Sequence, residues 1–137
     1  MNKQHLTQII EHFVVKDKRN RFLEFVSSPQ GWDGLPKRYR DFLHELLNDP
    51  RNIRPDCVVE DLGGHGNSPE IIRKLRKLGA GKEAYLVSEN WDVDGKSGKL
   101  EEIVSLVSGG GDIVYCLGTK LGYYEGHENW RYILKAE

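Results

Sequence analysis

The apolar residues of this chain change their spacing once, and that change limits what it can fold into. Up to about residue 54 they recur at helical intervals; from residue 57 they gather into short runs separated by turns. Leu6, Ile9, Ile10, Phe13 and Val14 follow the i, i+3, i+4, i+7, i+8 pattern of an amphipathic helix. After the charged break "KDKRNR", Phe22, Leu23, Phe25 and Val26 predict a second, shorter helix. "SSPQGWDGLP" is turn chemistry, and Tyr39, Phe42, Leu43, Leu46 and Leu47 then predict a third helix, with Pro36 suited to its first turn.

The second part alternates differently. "CVVEDL", "EAYLVS" and "DIVYCL" are short apolar runs with the length of strands. Between the first two lies "SPEIIRKLRKLG", with Ser68 and Pro69 at its start and Ile71, Ile72, Leu75 and Leu78 on one stripe. Between the last two lies "GKLEEIVSLVSGGG", with Leu100, Ile103, Val104 and Val107 inward. "LGYYE" and "WRYILK" close the chain as an antiparallel meander. The expected fold is α/β (or α+β), with N-terminal helices followed by β-α-β-α-β-β-β. Strand–helix–strand units imply right-handed crossovers, hence one mixed sheet of about five strands with a parallel core. Residues 1–137 are read as a single domain, with 1–54 its helical part and 55–137 its α/β sheet part.

Composition excludes some classes. With 38% hydrophobic and 30% charged residues the chain reads as soluble and globular. No apolar run approaches the roughly 20 residues that span a bilayer, and "MNKQHLTQII" lacks the apolar core of a secretory leader. Cys57 and Cys116 each sit in an apolar run and read as buried reduced thiols, which suits a cytoplasmic protein. Residues 83–137 hold 5 basic and 10 acidic side chains. The basic helix face of Arg73, Lys74, Arg76 and Lys77 has no aromatic platform beside it, so no nucleic-acid partner is expected. A protein partner or self-association is.

In an open sheet with parallel strands, ligands bind outside the carboxyl ends of those strands. Two loops are expected there, "EDLGGHGNS" and "SENWDVDGKS", and if their strands are neighbours then Asp61, His65, Glu89 and Asn90 converge as ligand-binding candidates. The first loop is not G-x-G-x-x-G, because His65 and Ser68 interrupt it. In the second, Asn90, Asp92, Asp94, Gly95 and Glu101 fall at positions 1, 3, 5, 6 and 12 of a calcium loop, so Asp92, Asp94 and Glu101 are metal candidates for Ca or Mg. Asparagine at position 1 and a strand in place of the incoming helix argue against that. The preferred reading is a helix start, with Asp94 or Ser97 as cap, and no cofactor.

Tyr124, Trp130 and Tyr132 are the interaction candidates. Side chains alternate along a strand, so the meander presents apolar or aromatic residues on both faces, and its last strand is expected at a sheet edge open to another chain. The leading function is therefore protein–protein interaction or regulation rather than catalysis. The alternative is a small enzyme or ligand-dependent regulator using Asp61, His65, Glu89, Asp92 and Asp94 with a divalent cation.

Overall fold

The computed structural model describes residues 2–28, 36–64, 66–128 and 130–137, with the side chain of Pro36 also left aside; Trp32 and His65 lie outside them. Three helices come first: α1 (Lys3–Phe13), α2 (Lys16–Ser27) and α3 (Pro36–Asn48). Two 3-10 turns, Pro50–Asn52 and Pro55–Cys57, lead into β1 (Val58–Asp61), α4 (Ser68–Lys77) and β2 (Glu83–Ser88). The chain continues through β3 (Ser97–Lys99), α5 (Leu100–Ser105), β4 (Asp112–Cys116), β5 (Leu121–Glu125) and β6 (Arg131–Lys135).

The expected elements form nearly where their patterns place them. Asn2 caps α1 by accepting from the His5 amide at 2.9 Å, and Leu6, Ile9, Ile10 and Phe13 are fully buried. α4 starts one residue earlier than its Ser68–Pro69 signal implies: Asn67 is the cap, accepting from Glu70 N at 3.0 Å. α5 is shorter than expected and begins only at Leu100, because Ser97–Lys99 pair with β2 as a strand; neither Asp94 nor Ser97 caps it.

The sheet corrects the expected parallel core. Its six strands run in the order β1-β6-β5-β4-β2-β3, and every neighbouring pair is antiparallel. The misreading has a physical cause. Continuous apolar runs mark strands buried on both faces, which is usual for parallel sheets, but here helices cover both faces of an antiparallel one. Tyr85, Val87, Ile113, Tyr115 and Tyr124 pack toward α1–α3, whereas Ala84, Leu86, Val114, Cys116 and Tyr123 pack toward α4 and α5. The meander β4-β5-β6 forms as expected, but β6 lies between β5 and β1, so the edges are β1 and β3.

Among the described residues no helix is long and apolar enough to cross a membrane. Both cysteines are buried and free of disulfides, and burial pushes the Cys116 thiol up to about 12.

Candidate functional site

β1 and β2 point the same way but have three strands between them. Four strand spacings of about 4.8 Å put the loops that follow them about 19 Å from each other. Asp61 therefore does not converge with Glu89 and Asn90, and the two loops form no shared acidic edge. Asp61 caps its own turn instead, accepting from Gly63 N at 2.9 Å.

The metal candidates also separate. Asp94 turns inward: one carboxylate oxygen accepts from Ser88 N at 2.9 Å and the other from the Tyr39 hydroxyl at 2.7 Å. Burial raises its pKa and raises the Tyr39 phenol as well. Asn90 accepts from Asp92 N at 3.1 Å in a local turn. Glu101, beyond β3, is ion-paired with Arg76 of α4. Among the described residues no group of three or more His, Cys, Asp or Glu side chains is arranged to hold a metal ion.

Strand register builds a different polar cluster at this end of the sheet. Ser88, Asp112, Glu125 and Arg131 are successive cross-strand partners from β2 to β6. The Ser88 hydroxyl donates to Asp112 at 2.6 Å, the Tyr123 hydroxyl to Glu125 at 2.5 Å, and Arg131 to Glu125 at 3.0 Å. Asp112 is fully buried, and desolvation, followed by the nearby Glu125 charge, holds its carboxyl up at about 6 against hydrogen bonds that lower it.

On the opposite face, Glu89 is bracketed by two histidines from distant segments. His44 Nδ1 of α3 lies 2.7 Å from one oxygen, and His127 Nε2 lies 3.5 Å from the other, which is buried and has no hydrogen-bond partner among the described residues. Gly111 is required beside it, since a Cβ there would collide with the carboxylate. Beyond His44 opens a hollow of about 250 Å³ reaching Trp91, whose indole is 45% exposed with the Arg40 guanidinium 4.5 Å over its ring.

The interaction candidates fare unequally. Tyr124 is fully buried and donates its hydroxyl to Leu47 O at 2.8 Å, so it belongs to the core and not to a surface. Tyr132 and Trp130 remain partly exposed, and each lines a groove. One, of about 420 Å³, lies between Val15, Ile53, Pro55, Val58, Asp61 and Tyr132; the other, of about 430 Å³, lies against Asp49 and Trp130, and the two share Pro50 and Arg51.

Asn52 lies behind this double groove and anchors the turn whose Pro50, Arg51 and Ile53 line it. Its buried side chain donates to Glu45 O at 2.7 Å and accepts from Lys18 Nζ at 2.8 Å, while its carbonyl accepts from Val15 N at 2.8 Å. With the Val14–Ile53 bridge, these bonds hold the first proline turn against the α1–α2 junction and the last turns of α3. On β1, Val59 sits at a register break and is 51% exposed.

Comparison of the chain with family models, with curated proteins and with solved structures returned no match.

Proposed function

We propose that this chain is a binding domain that takes up another polypeptide along β1, with the neighbouring groove receiving that polypeptide's side chains. One observation carries the reading: an apolar groove containing Val15, Ile53, Val58 and Tyr132 runs beside an edge strand whose outer side no described element covers. An unpaired edge supplies main-chain hydrogen bonds to an extended segment, and a flanking groove supplies side-chain selectivity. Tyr132 and Trp130 add aromatic surface of the kind that dominates binding energy. Selection from a random-peptide library tests this. Recovered peptides should carry apolar residues at alternate positions and lose at least tenfold in affinity against Tyr132→Ser. Peptides that bind that variant unchanged would contradict the assignment.

A second reading is favoured by the Glu89 site. There the remnant of the acidic edge, a carboxylate between His44 and His127, would act on a small ligand as an enzyme or ligand-dependent regulator. A specific ligand raises the melting temperature by mass action. Screening nucleotides, small anions and divalent cations against the parent and Glu89→Gln separates the two readings; a Glu89-dependent rise would favour the second.

A further inference from the structure

Resting on the reading that β1 is the docking edge, we propose that its occupant is β3 of a second copy of this chain, so that the sheet continues head to tail from one molecule into the next.

The topology permits this without rearrangement. Among the described residues the sheet has six strands and all five of its pairings are antiparallel, so the two edges, β1 and β3, run in opposite directions. A second copy in the same orientation presents β3 antiparallel to β1 and keeps both helical layers on their own sides.

Charge selects this arrangement over the other ways of joining edges. Glu60 and Asp61 are exposed on β1; Lys99 is exposed on β3, and Lys96 just before it. Pairing β1 with β1 brings carboxylates together, and pairing β3 with β3 brings ammonium groups together. Like charges opposite one another destabilise a strand pair and opposite charges support it. Charged edges ordinarily suppress sheet-to-sheet association. With opposite signs on the two edges, they suppress only like-edge contacts.

The side-chain faces agree. Asp61 is opposite Tyr132, which packs toward α1–α3, and Ser97 is opposite Tyr85, which also does. Asp61 and Lys99 thus share the α1–α3 side of a continued sheet, and Glu60 shares the other side with Gly98. Setting Asp61 opposite Ser97 places Lys99 diagonal to it, and places Glu60 opposite Gly98 with Lys96 diagonal. Diagonal neighbours at about 7–8 Å are within reach of long side chains. Glu60 already holds Lys74 at 2.9 Å and keeps acceptor capacity for a second ammonium group.

β1 has 4 residues and β3 has 3, so the buried area is small and the contact weak. It joins unlike surfaces, so it adds copies in an open chain, and salt screens it. Sedimentation velocity over a rising concentration series tests this. At low salt the weight-average sedimentation coefficient should climb with concentration, and the climb should vanish at about 0.5 M salt. The pair Glu60→Lys/Asp61→Lys and the pair Lys96→Glu/Lys99→Glu should each sediment as a monomer, and an equimolar mixture of the two should regain the climb. Asp61→Lys and Lys99→Glu alone, which leave the Glu60–Lys74 pair intact, should repeat the pattern in weaker form. A parent chain that is monomeric throughout would overturn the proposal, as would association that survives either charge reversal. If the monomeric parent still takes up peptides in a Tyr132-dependent way, only the second copy is withdrawn; if it does not, the docking edge falls as well.

Discussion

Asp112 should contribute less to stability at neutral pH than in mild acid. Its carboxyl is fully buried at the first position of β4, held up at about 6 from an ordinary 3.8 chiefly by desolvation. The folded state therefore binds the Asp112 proton more tightly than the unfolded state does. Its contribution to stability is complete below about pH 4 and is lost as the pH rises through about 6. At 1.36 kcal/mol per pH unit of separation, the ionised form costs about 3 kcal/mol at pH 8 relative to the protonated form. Asp112→Asn keeps the shape and cannot titrate. Denaturant unfolding of parent and variant at intervals from pH 4 to pH 8 isolates the effect, because the opposing shifts of Asp49, Asp56 and Glu101 cancel in the difference. The variant should gain about 2.5 kcal/mol on the parent between pH 4 and pH 8. A stability difference that stays flat with pH would show that Asp112 is either solvated or neutralised by a partner, and the reasoning would fail.

Three further outcomes follow from the geometry. Gly111→Ala should cost about 1–3 kcal/mol in unfolding free energy, since residue 111 holds a φ of 108° and a Cβ there displaces Glu89. Tyr39→Phe should cost about 1–3 kcal/mol by removing the donor to the buried Asp94 carboxylate, with the loss read from a denaturant midpoint at constant slope. Cys57 and Cys116 should resist a thiol-specific reagent in the native protein and react only as the chain unfolds, because burial raises both thiols.

Much of the fold was legible because the spacing of apolar residues reports local structure. Leu6 to Phe13 and Tyr39 to Leu47 fall on the buried stripes their periods imply, and the meander follows its turn signals. Strand order was not legible. A run such as "EAYLVS" says that both faces are covered but not by what, nor which strands are its neighbours. Position along the chain therefore suggested β1 beside β2, where the structure has three strands between them. The calcium-like loop misled for a related reason: spacing alone does not say that Asp94 turns inward to Tyr39, 55 residues away in sequence.

The site was partly legible. The turn between "DIVYCL" and "LGYYE" is legible as a hairpin, but the packed sheet sets which loop length forms, and so that Asp112 stands opposite Glu125. His44 and Glu89 meet only because α3 packs on β2, and no local pattern announces that. Tyr124 and Tyr132 look alike in sequence, yet α1–α3 cover one fully and leave the other at the rim of a groove.

The most direct test of binding along β1 is an intermolecular NOE experiment between the isotopically labelled chain and a library-selected peptide. Cross-strand contacts should run from the peptide backbone to Val59, Glu60 and Asp61, with peptide side chains reaching Tyr132 and Val58. Contacts confined to the Trp91–His44 hollow or to the outer face of α4, with β1 untouched, would contradict the account.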